Sequence, residues 1–94
     1  MPILKQLLDW LILGSKGGIS RAKILLELKR KPSNIHALSI KLEMDYKTIQ
    51  HHINILLENQ LITSIGKPYG KIFFISPQLE SEFDLFKKMI EGKI

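Results

Sequence analysis

Residues 35–62, IHALSIKLEMDYKTIQHHINILLENQLI, decide how this chain is read. Ile35, Leu38 and Leu42 recur at helical intervals, Met44 and Asp45 interrupt, and Ile49, Ile53 and Leu56 then resume the same spacing. The pattern describes two short helices joined by a tight turn. At about 100° per residue, Ile49, His52, Ile53, Leu56 and Gln60 share one side of the second helix. Lys47, Gln50, His51, Asn54 and Glu58 share the other. Asp45 stands where an N-cap belongs, accepting from the amides of the first turn.

The outer side of that second helix carries amides and a histidine where solubility alone favours glutamate and lysine. A B-DNA major groove admits one α-helix, and the residue types suit base edges. Lys47 can donate to guanine O6 or N7, Gln50 and Asn54 can pair bidentately with adenine, and His51 can donate or accept. Tyr46 and Thr48, beside the helix start, suit phosphates. His52 lies on the inner side and reads as a packed, hydrogen-bonded core histidine. It diverges from His51 by about 100°, so the two cannot chelate one metal from a regular helix.

Outward from this stretch, Leu61 to Ser76 clusters Thr, Ile and Phe on both sides of Gly66-Lys67-Pro68-Tyr69-Gly70 and reads as a β-hairpin. Lys67 and Lys71 flank Tyr69 on its tip, a combination suited to phosphates or the minor groove. Pro77 opens a last helix over 78–91, with Leu79, Phe83, Phe86 and Ile90 as its stripe and Leu85 and Met89 beside it. Upstream, residues 3–13 read as one helix with apolar side chains nearly all round. Gly14 to Gly18 follows as a flexible hinge, since GSKGG lacks the spacing of a phosphate-binding loop. Ser20 is the expected N-cap of a helix running to about Lys31, with Ile24, Leu25 and Leu28 inward. Pro32, Ser33 and Asn34 end that helix and cap the next. The expected fold is mainly α with a small β-hairpin: an N-terminal helix, a three-helix core over 20–62, a hairpin over 62–76 and a C-terminal helix.

Ninety-four residues make one domain, which hides only ~60–65% of the surface its unfolded chain exposes. With 45% hydrophobic residues, some apolar surface is expected to pack against a second copy, and Leu4, Leu7, Leu8, Leu11, Phe83, Phe86 and Ile90 are the candidates for that dimer contact. The absence of cysteine excludes disulfides, thiolate metal sites and cysteine nucleophiles and is compatible with a reducing cytoplasm. A formal charge of +5 favours a polyanionic partner. Positive residues concentrate between Lys16 and Lys31, where Arg21 and Lys23 can touch a nucleic-acid backbone, and the C-terminal segment is acidic. No apolar run approaches the ~20 residues of a membrane span, and no export signal is evident. The carboxylates are scattered, and no nucleophile has a base beside it, so neither an enzyme nor any cofactor or metal is expected.

The chain resembles the winged helix-turn-helix regulators of the ArsR-like group, particularly the small archaeal forms. Leu42, Thr48, Ile49, His52, Ile53, Leu56, Leu61 and Ile62 fall on that group's pattern of a leucine before the turn, T-[VI]-x-x-H-[LI]-x-x-L and a closing L-[VI], and GSKGGISR also looks like the archaeal versions. The resemblance implies a dimeric transcription regulator with the helix at 46–60 in the major groove and the hairpin as a wing. Glu43 and Gln60 stand where the group often has glycine, and the cysteine metal sites of its metal-sensing members cannot exist here. The expected partner is double-stranded DNA with palindromic half-sites one turn apart, roughly 34 Å. A winged helix used as a protein-interaction module, and a nonspecific nucleic-acid binder, are the rival readings.

Overall fold

The structure is a computed structural model that describes residues 2–68 and 70–94, with only the backbone described at residues 2 and 3. Its elements run α1 (Pro2–Leu8), a π-helical turn (Asp9–Leu13), α2 (Gly18–Arg30), α3 (Ile35–Leu42), α4 (Tyr46–Glu58), β1 (Ile62–Ile65), β2 (Ile72–Ile75), α5 (Pro77–Glu80) and α6 (Phe83–Ile90). This is the winged helix-turn-helix architecture expected from the sequence, with helices added at both ends.

The helix-turn-helix forms for the reasons its sequence displays. Asn34 caps α3, its Oδ1 accepting from the Ala37 amide at 2.7 Å, and Asp45 caps α4, its Oδ2 accepting from Lys47 at 3.1 Å. Each such cap contributes about 1 kcal/mol. Between the two helices Glu43 adopts the left-handed conformation at φ 55°, and Gln60 does the same after α4 at φ 60°. Both turns are therefore left-handed although glycine is absent from them, the conformation being carried by residues with a Cβ.

The hairpin pairs Ile62 with Ile75 and Ile65 with Ile72, antiparallel. Phe73 makes a second connection that the sequence pattern did not reveal. On the edge of β2 away from β1 it exchanges two backbone hydrogen bonds with Ser33, 2.8 and 3.1 Å, so the link between α2 and α3 forms a one-residue third strand beside the wing. Two buried β2 side chains, Phe73 and Ile75, face a core with Ile24, Leu25, Leu28, Leu38, Ile49, Ile53 and Leu56. Burial of each of these apolar side chains contributes about 1.5–3 kcal/mol before entropy is counted.

Both ends depart from the single regular helices that periodicity predicts. The N-terminal segment does not stay α-helical to residue 13: its last turn widens, and Gly14 N–H donates to Asp9 C=O at 2.8 Å. The wider turn holds Leu11 and Ile12 inside and leaves Trp10 62% and Leu13 45% exposed. At the C-terminus the helix expected over 78–91 is broken at Ser81 and Glu82. Ser81 Oγ donates to the Gln78 carbonyl at 2.9 Å and competes with the backbone ladder there. The inward spacing survives the break, because Leu79, Phe83, Phe86 and Ile90 are all buried. The Phe83 and Phe86 rings meet at 5.1 Å, tilted by 58°.

The GSKGG loop is a close-packed turn rather than an open hinge. Gly17 takes the N-cap position expected of Ser20, and α2 starts at Gly18. A Cβ at Gly18 would fall 1.7 Å from the Ile12 carbonyl oxygen, and one at Gly17 would fall 2.6 Å from His52 Cε1. Space, not backbone conformation, dictates glycine at both positions.

Candidate nucleic-acid interface

The inner side of α4 is sealed: Ile49, His52, Ile53 and Leu56 are all buried. Every described residue that the sequence singled out for DNA contact, namely Tyr46, Lys47, Thr48, Gln50, His51 and Asn54 on α4 and Lys67 and Lys71 on the wing, is exposed. Tyr69 lies outside the described residues.

The exposed side of α4 divides in two. Tyr46, Gln50 and Asn54, four residues apart, line a groove of about 350 Å³ whose opposite wall is Pro68, Gly70 and Lys71 of the wing. Lys47 and His51 lie outside that groove on the neighbouring stripe of the helix. The floor is apolar, built from Ile53, Leu57 and Phe73. A helix stripe of two amides and a phenol facing a lysine-bearing loop can bond base edges on one wall and phosphate on the other. Tyr46, at 49% exposure, shares the groove with the base-reading candidates rather than standing apart with Thr48.

Two groove residues escaped the sequence reading, Asn34 and His36 at the start of α3. Their signal was present: the N-cap of a first helix that packs across a second brings its own first turn to that helix's entrance. Ile40, off the buried stripes in sequence, is 63% exposed, whereas Ile55 packs against the core.

His52 is the core histidine its position implied, and its partner is Arg21. Arg21 was read as a possible backbone contact, but it is only 5% exposed and makes three hydrogen bonds within the chain, unlike exposed Lys23. Its Nε donates to the Leu11 carbonyl at 3.0 Å, one Nη donates to His52 Nδ1 at 3.2 Å, and the other donates to Ser15 Oγ. Since a guanidinium only donates, His52 Nδ1 must accept, which requires a neutral ring with its proton on Nε2. Desolvation first, then the charges of Arg21 and His51, push the His52 pKa below its ordinary value.

The residues expected at a dimer contact lie mostly within the single chain. Leu4, Leu8, Leu11, Phe83, Phe86 and Ile90 are buried there and Leu7 is half-buried, so the chain's own core absorbs the apolar excess that argued for a second copy. Among the described residues no three His, Asp or Glu side chains gather as a metal site, and no helix is long and apolar enough to cross a membrane.

No family model matches the sequence, and no curated protein is significantly similar to it. Solved structures do share its fold. Reduced HlyU from Vibrio cholerae superposes with a TM-score of 0.70 at 16% identity, over 94% of this chain and 90% of that one. An ArsR-like transcriptional regulator from Rhodococcus gives 0.66 at 17% identity over 99% and 85%, and a ZitR variant from Lactococcus lactis gives 0.58 at 15% over 77% and 59%. At these identities the likeness is one of fold. The chain therefore has, from its first helix to its last, the winged helix-turn-helix fold also seen in an ArsR-like transcriptional regulator.

Proposed function

We propose that this protein is a sequence-specific double-stranded DNA-binding transcriptional regulator, with α4 in the major groove and the wing on the backbone or minor groove. One observation carries the reading: Tyr46, Gln50 and Asn54 stand in register along a helix whose other side is sealed in the core, facing Lys71 across an open groove. A helix presented this way has its base-reading groups held by the scaffold before any ligand arrives. The fold shared with an ArsR-like regulator supports the same reading.

The protein acts as a homodimer on a palindromic operator. Supporting this, the π-helical turn exposes Trp10 and Leu13, large apolar side chains that a second copy would cover. These outer neighbours, rather than the core residues Leu8, Leu11 and Phe86, would make the contact. Sedimentation at micromolar concentration is expected to show a dimer that Trp10→Ser converts to monomer.

Selection of duplexes from a random pool is the direct test, with a palindrome expected. Gln50→Ala or Asn54→Ala should then cost on the order of 1–3 kcal/mol per half-site and relax preference at one base. Lys67→Ala should weaken selected and random duplexes equally. Identical effects of all three on both duplexes would exclude base reading by α4 and leave a nonspecific binder.

A further inference from the structure

A second groove, of about 270 Å³, opens on the far side of Asn34, between the C-terminal end of α2 and the outer side of α3. Asn34 lines both grooves, so the two adjoin beside the wing. The second differs in chemistry. It carries Arg30, Lys31 and Lys41 around one carboxylate, Glu27, with none of the aligned amides of the first.

Charge accounting defines what fits there. Glu27 is taken by Arg30, whose Nη2 donates to it at 2.6 Å. That hydrogen bond is the largest influence holding the Glu27 carboxyl below its ordinary range, and Lys41 and Lys31 add to it from nearby. With Arg30 and Glu27 neutralising each other, Lys31 and Lys41 remain as two exposed ammonium groups, with no ion-pair partner among the described residues. Lysine ammoniums are point charges that attract phosphate without discriminating bases.

We propose that this groove binds the phosphate backbone of DNA flanking the bases read by α4, extending the contact past the recognition helix through Lys31 and Lys41. The inference rests on the DNA-binding reading above. The two grooves adjoin at Asn34, so a duplex seated along the first can continue its backbone toward the second, which favours nucleic acid over an acidic protein segment. The Ser33–Phe73 bonds join a residue of the second groove to one of the first, so the same backbone strand can engage both.

Salt-dependent binding to the selected duplex and to a random duplex tests it. Lys31→Ala/Lys41→Ala should lose about tenfold in affinity or more on both duplexes near 0.1 M salt and flatten the log–log salt slope by about 1.8 per half-site, or 0.9 per phosphate. Glu27→Gln, which frees Arg30, should do the reverse and steepen the slope. Lys87→Ala/Lys88→Ala removes the same formal charge from α6 and is expected to change affinity less than twofold; an equal loss there would mean net charge alone is at work and would overturn the proposal. So would wild-type affinity in the Lys31/Lys41 variant. If in that case Gln50→Ala still relaxes preference at one base of the selected duplex, the second groove falls while DNA reading stands. Failure of the wild-type protein to bind any duplex overturns both.

Discussion

Two turns in this molecule solve opposite problems with unexpected residues. At Glu43, between α3 and α4, the backbone is left-handed, a conformation that favours glycine, yet a glutamate occupies it. At Gly17 and Gly18, where α2 begins, no left-handed backbone is present, yet no side chain fits. The first turn is constrained in conformation and open in space. The second is ordinary in conformation and closed in space. A glycine in a sequence therefore does not announce which constraint it answers, and its absence does not show that a left-handed turn is missing.

The largest effect expected from breaking this contrast is at Gly18. In Gly18→Ala the new Cβ meets a backbone oxygen at 1.7 Å, which no rotamer change relieves. The expected loss is at least about 3 kcal/mol, read from the urea midpoint, and a variant within 0.5 kcal/mol of wild type would show that the π-helical turn can move aside. Gly17→Ala should cost less, about 1–2 kcal/mol, because its nearest atom is the edge of the His52 ring and a side chain can shift. That shift would also disturb the Arg21–His52 bond.

The same closed turn predicts a pH dependence. The folded protein keeps His52 neutral, so its pKa lies below the ordinary 6.5 that the unfolded chain retains. Above that value neither state binds the proton and stability is undiminished. As pH falls through 6.5 toward the depressed folded value, the unfolded state takes up the proton first and stability declines. Urea titrations at several pH values should show this decline in wild type and a flatter profile in His52→Asn, whose Oδ1 can accept from Arg21. An unchanged profile would assign the decline to other groups.

The smallest effect belongs to the open turn. Glu43→Gly relieves a left-handed Cβ but loosens the unfolded chain, for a net gain of about 0.5 kcal/mol. A loss would mean that the glutamate side chain contributes more than its strained backbone costs.

These contrasts also explain what was legible in the sequence. The helices α3 and α4, their caps Asn34 and Asp45, and the hairpin were readable because each depends on spacing within a few residues. The outward position of Gln50, His51 and Asn54 and the inward position of His52 follow from the same periodicity. Arg21 was misread because its three partners, Leu11, Ser15 and His52, come together only after folding, and one is distant in sequence. Apolar periodicity correctly marked Leu4, Leu8, Phe86 and Ile90 as buried, but it cannot say whether the burying surface belongs to the same chain. The π-helical turn and the break at Ser81 are invisible to periodicity because neither moves an inward residue outward along the stripe it interrupts.

The Ser33–Phe73 pairing bears on the entropy of docking a ligand. A wing attached only by its own hairpin would be free to swing, and ordering it against a partner would cost conformational entropy at that moment. Here both backbone groups of Phe73 bond to Ser33 while β2 pairs with β1 on its other edge, which ties the wing to the α2–α3 link as the chain folds. That ordering cost falls on folding, so docking should proceed with little entropic penalty from the wing root, and the Ser33 and Phe73 amides should exchange with solvent as slowly before the ligand is added as after.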